Sequence, residues 1–245
     1  MIRVNRNKIN LYAYYKIVSQ KKFDIKINLK ECKPKSCSNE ECKRDGRKNI
    51  CKVIRKEFSD NKGNSIFEDT KTQVTLEEAF YKFAEIGQDN FDKIFKDIKL
   101  KHLLIGNFNR LQKIINSLSD YDLSKNDSIK LLFDYSSYQK QQFAPYFEKY
   151  LNPRTCYYCN IDYINVYEKK EIKKDGKEKV VFSNKFTLDH FIDKGRYPYL
   201  ALSIFNLIPS CSVCNSKIKG AIPFYGDVEL EHTNPYLESF QFDEK

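Results

Sequence analysis

The sequence predicts an α+β chain, and three observations carry that assignment. Alternating apolar and polar residues recur near the N-terminus, helical spacing of apolar residues dominates the middle, and two C-x-x-C pairs frame the last third. They divide the 245 residues into a small β-rich part with a cysteine cluster (1–73), a helical region (74–152) and a cysteine-framed region (153–245).

Composition narrows the class. Hydrophobic residues make up 41% of the chain and aromatic ones 14%, enough for a substantial core; Phe and Tyr supply its bulk because Trp is absent. The formal charge of +10 points to a polyanionic partner such as nucleic acid, and the even spread of lysine also fits a habit of composition. MIRVNRNKIN has no apolar h-region, and no apolar run reaches the length of a membrane span. Eight cysteines fall in two groups of four, which in a reducing compartment bind metal more often than they pair. The expectation is a cytoplasmic protein with no membrane partner.

In the first part, residues 3–18 read as a strand pair, and FDIKINL at 23–29 alternates as a half-buried strand does. ICKVIRKEF at 50–58 follows the same period less cleanly. Between them Cys32, Cys37, Cys42 and Cys51 are spaced C-x4-C-x4-C-x8-C, either a second zinc site or free thiols on a loop. Nine basic residues stand against four acidic ones over 31–56, a loop able to touch phosphates or simply solvated.

Residues 59–73 are polar and read as a linker or long loop. Thr75 and Glu78 then form a capping box ahead of Leu76, Ala79, Phe80, Phe83, Ala84 and Ile86, and the helix ends near Gly87. NFDKIFKDIK continues the helical pattern. Further helices are expected over 108–118 and after Ser124 or Asn126, the last limited or kinked by Pro145.

Beyond Asn152-Pro153, TCYYCN carries the first C-x-x-C pair. A hairpin is expected over 161–181, turning at Lys174-Asp175-Gly176. From Ala221 the tail holds six acidic residues against Lys245 alone, so it should avoid a phosphate backbone.

Cys156, Cys159, Cys211 and Cys214 give four thiolates in the spacing of a closed, structural zinc site. Inside that frame stand LDHF, with Asp189 and His190, then FNLIPSC with Asn206, then CNSKIKG with Asn215. The set, in this order, resembles the HNH endonucleases over residues 153–236. Its wording is most similar to the HNH subunits of Septu-type anti-phage defence systems.

The resemblance implies a ββα-metal core, phosphodiester cleavage of nucleic acid with DNA favoured and tRNA or other RNA open, and a separate ATPase partner. The chain has no P-loop of its own, so any nucleotide dependence must come from another protein. His190 suits a general base because imidazole titrates near neutrality. Asp189 and Asn215 suit oxygen ligands of Mg2+ or Mn2+. Asn206 is implied to brace the loop and orient the His190 ring. Lys194, Arg196, Lys217 and Lys219 surround the motif as candidate phosphate contacts. Adjacent residues of a strand face opposite sides, so Asp189 and His190 share a site only if the strand ends there. A non-cleaving zinc protein that binds nucleic acid, or a scaffold acting through the helical middle, is the alternative.

Overall fold

The computed structural model describes residues 8–24, 30–31, 50–51, 67, 73–172, 178–184, 186–220, 222, 224–226 and 234–236. Among them the chain is a mixed α+β protein in which short helices surround small antiparallel two-stranded sheets.

The first element corrects the expected strand pair: residues Leu11–Ser19 form helix α1. Asn10 caps it by accepting the Ala13 N–H at 2.9 Å, and Leu11, Tyr14, Tyr15 and Val18 lie at helical spacing, with Tyr14 and Val18 fully buried. Tyrosine and valine favour strands, but the buried stripe and the cap outweigh that preference. Strand β1 (Lys22–Asp24) realises only the start of the expected 23–29 strand, since residues 25–29 lie outside the described set. Strands β2 (Lys30–Glu31) and β3 (Ile50–Cys51) pair antiparallel. Cys32, Cys37 and Cys42 lie outside the described residues, as does the side chain of Cys51.

Strand β4 (Gln73–Thr75) pairs with β1 and runs straight into helix α2 (Leu76–Ile86). The capping box is present: Thr75 Oγ1 accepts the Glu78 N–H, and Glu78 Oε2 accepts the Thr75 N–H at 2.8 Å. Gly87 closes the helix at φ +64°, where a side chain would be strained. Short helices follow: α3 (Phe91–Ile94), α4 (Leu100–Ile105), α5 (Phe108–Ser117) and α6 (Asp127–Leu132). Asn126 caps α6. A π-helical turn at 139–143 leads into α7 (Ala144–Tyr150), where Pro145 sits in the first turn. Proline thus opens a new helix instead of kinking an old one, because its missing N–H is spare in the first turn.

The expected hairpin forms from β5 (Val166–Ile172) and β6 (Glu178–Asn184), its tip lying outside the described residues. Strands β7 (Thr187–His190) and β8 (Leu207–Ser210) make a second antiparallel pair, with Asp189 opposite Ile208 and His190 opposite Leu207. A π-helix, Val213–Lys219, closes the unit at Gly220.

Among the described residues one hydrophobic core runs from Tyr14 and Val18 through Phe80, Phe91 and Phe147 to Phe191, Ile208 and Tyr236. Polar tips of buried tyrosines tie distant segments: Tyr14 Oη donates to the Leu202 carbonyl at 2.8 Å, Tyr146 Oη to Asn10 and Tyr236 Oη to Leu207. No helix among the described residues is long and apolar enough to cross a membrane.

Candidate metal centre and the adjoining pocket

The two C-x-x-C pairs meet. The first sits on a tight loop closed by a bridge between Thr155 and Tyr163, with the Cys156 N–H on the Asp162 carbonyl and the Asn160 N–H on the Cys156 carbonyl. Asn160 takes φ +55°, which asparagine tolerates better than most residues. The second pair follows β8, and the Cys214 N–H points at Cys211 Sγ from 3.3 Å. The Tyr157 N–H reaches the Pro209 carbonyl at 3.2 Å and joins the two loops.

As a result the sulfurs of Cys156, Cys159, Cys211 and Cys214 all lie within 4.8 Å of one another. Tetrahedral Zn–S bonds of ~2.3 Å set sulfurs ~3.8 Å apart, so the four can hold a metal such as zinc with little adjustment. Burial raises the Cys159 thiol, yet the backbone N–H groups of Asp162 and Ile161 overcome this and bring it to about 7. Burial pushes Cys211 up to about 11 and Cys214 higher still. Thiols packed this closely cannot all ionise alone, and a dication removes that conflict.

Beside this frame lies a cavity of about 430 Å3, lined among others by Tyr135, Asp189, His190, Lys194, Asn215 and Lys219. The strand β7 ends at His190, and the next N–H, of Phe191, bonds the Asn206 carbonyl. That ending lets Asp189 and His190 line one cavity, as the adjacency required.

His190 is held by its ring nitrogen Nε2, 3.0 Å from the Ala201 carbonyl. Burial, with the charge of Lys194 next, pushes the imidazole down to about 3, so the ring is neutral. A carbonyl only accepts; Nε2 therefore carries the hydrogen and Nδ1 keeps the lone pair. Tyr135 packs edge-on against the ring with centroids 4.5 Å apart.

The side chain of Asn206 bonds the loop and not that ring. Its Oδ1 accepts the Ile192 N–H at 2.6 Å, and its Nδ2 donates to the carbonyls of Ile192 and Leu200. The loop brace is present, but the Ala201 carbonyl takes the orienting bond because Asn206 has spent its donors on the loop. The amide of Asn215 donates to Thr187 Oγ1 at 2.9 Å, and Thr187 in turn donates to the Ser210 carbonyl. This relay assigns Nδ2 to Thr187 and leaves Oδ1 as the remaining acceptor.

Asp189 is fully engaged. Oδ1 accepts from Lys219 Nζ at 2.9 Å and Oδ2 from Tyr158 Oη at 2.6 Å. Burial and the Asp189 charge hold the Tyr158 phenol far above its usual range, so it stays a donor. Lys219 also donates to the His190 carbonyl at 2.9 Å and lies 5.1 Å from the Phe224 ring. Lys219 is thus a buried ion-pair partner and not a free phosphate contact, because its stem folds inward where the π-helix ends. In kind, one carboxylate and one amide oxygen suit a hard divalent cation. In place, the ammonium stands on the carboxylate, so the side chains as arranged do not fit that cation.

Lys194 is exposed, lines the cavity and lies 4.8 Å from the Tyr135 ring. Arg196 and Lys217 are exposed and stand outside the cavity wall. Tyr135, Tyr158 and Ala201 escaped the reading of the sequence. Tyr135 belongs to a short turn after α6 with nothing to single it out. Tyr158, lying between two cysteines, was a detectable signal. No family model, curated protein or solved structure matches the chain.

Proposed function

We propose that the chain is an HNH-type endonuclease that hydrolyses phosphodiester bonds of nucleic acid, built on a ββα unit made of β7, β8 and the closing π-helix. The single observation that carries this reading is the convergence of Asp189, His190 and Asn215 on one cavity beside four clustered sulfurs. These residues are 26 positions apart at most along the chain and share no local pattern, yet strand end and helix turn bring them together.

In this reading the cysteine frame holds zinc through Cys156, Cys159, Cys211 and Cys214. Its chemistry is structural, since four thiolates leave no position for water. The neutral His190 takes a proton from water through Nδ1, and Nε2–H on Ala201 keeps the ring in that tautomer. A bound phosphodiester brings negative charge next to the imidazole and draws its pKa back up from about 3, which suits a base that must hold the proton it removes. Lys194 at the cavity edge meets the phosphate. Lys219 stands on the Asp189 carboxylate, the oxygen donor that Mg2+ or Mn2+ would need.

DNA is the favoured substrate and structured RNA the other. The resemblance adds a role in anti-phage defence and a separate ATPase partner. One observation favours a second reading, a non-cleaving nucleic-acid-binding zinc protein: the closed Asp189–Lys219 pair is what a purely structural platform would also show.

Plasmid, single-stranded DNA and tRNA, each incubated with zinc-loaded protein in Mg2+ or Mn2+, separate the two readings. Cleavage that disappears in His190→Ala supports the nuclease and names its substrate. Nucleic-acid retention by both proteins with no cleavage, alone or with the partner ATPase, favours the binding protein.

A further inference from the structure

We infer that Lys219 occupies the cation position of this centre, so that its ammonium and a divalent cation compete for Asp189. The inference rests on the nuclease reading of the same cavity and adds to it a residue that sets the centre's metal requirement.

Four features of the geometry carry it. The Lys219 ammonium lies 2.9 Å from Asp189 Oδ1 with both side chains more than nine-tenths buried, so solvent screens the pair little. It also takes the His190 carbonyl, an oxygen at the strand end, so it gathers oxygens from neighbouring residues as a hard cation does. The other oxygen of Asp189 is held by Tyr158, which leaves Oδ1 as the natural place for a cation. Finally, Asn215, whose Oδ1 is the remaining neutral oxygen, is borne on the same π-helix as Lys219. Extra-wide turns of this kind are frequent at functional sites, and this one ends on the competing residue.

Two positive charges cannot share Oδ1: a dication at contact distance from an ammonium is repelled strongly in a poorly hydrated site. Cation entry therefore requires Lys219 to leave Asp189. Its unbranched stem can carry the ammonium toward the cavity, which Lys219 already lines.

The test reads metal binding without nucleic acid, which keeps it separate from any test of cleavage. Zinc-loaded full-length protein is titrated with Mn2+, following loss of the free-ion electron paramagnetic resonance signal. The variants are Lys219→Met, Lys219→Gln and Lys219→Gln with Asp189→Asn. Thermal melts confirm that each is folded; the Gln variant keeps a donor for Asp189 in case the Met variant does not fold. The expected result is Mn2+ binding at least about tenfold tighter in the single variants than in the parent, and loss of that gain when Asp189→Asn is added. Equal affinity in parent and single variants would overturn the inference. So would the absence of any Mn2+ site in the folded Lys219→Gln protein. Either result leaves the nuclease reading to its own cleavage assay.

Discussion

Tyr158 lies between two cysteines of the frame, yet its hydroxyl ends on Asp189 at 2.6 Å. Replacing it with phenylalanine keeps the ring and removes only that donor. Tyr158→Phe should cost about 1–3 kcal/mol in denaturant unfolding, the penalty for leaving a buried carboxylate oxygen short of a partner. Zinc content should not change. Tyr135 poses the opposite case: its buried hydroxyl has no hydrogen-bond partner among the described residues, while its ring packs on His190. Tyr135→Phe should therefore leave the melting temperature unchanged or raise it. Tyr135→Ala should lower stability by about 3–5 kcal/mol through the cavity it leaves. A fall in cleavage by Tyr135→Phe without loss of stability would mark the hydroxyl as a substrate contact.

Among the elements, the frame joins two loops and the closing π-helix, so its loss should be felt in all three. Cys214→Ser should reduce bound zinc by one ion per chain in a colorimetric release assay and lower the melting temperature. Zinc remaining after all four frame cysteines are replaced by serine would report a second site, with Cys32, Cys37, Cys42 and Cys51 as its candidate ligands. Elements whose ends carry local chemistry were legible from sequence. The Thr75–Glu78 box, Gly87, the Asn126 cap and both C-x-x-C pairs all act within a few residues and stand where expected, and the hairpin expected over 161–181 forms over 166–184. The misses depended on partners distant along the chain. Helix α1 reads as strand by residue preference until the core that covers Tyr14 and Val18 is known. The orientation of His190 passed from Asn206 to Ala201 because amide and carbonyl compete for one ring, and no spacing records the winner. Lys219 reads as one more surface lysine until the π-helix turns it onto Asp189.

Across the whole molecule, the apolar core crosses every boundary that composition suggested. Residues 153–245 carry the frame and the cavity-lining pairs, but Phe186, Phe191 and Ile208 belong to the same core as α1 and α7. Expressed alone, that segment should bind zinc and yet show broad, weakly cooperative unfolding, measured by calorimetry against the full chain. The hydrogen bond from Tyr14 to the Leu202 carbonyl spans 188 residues and anchors the loop next to Ala201, which holds the His190 ring. On the ribosome the Tyr14 hydroxyl emerges 188 residues ahead of the carbonyl it bonds. The His190 ring therefore gains its support only once the segment around Leu202 has docked on α1, and a chain interrupted between them lacks that geometry.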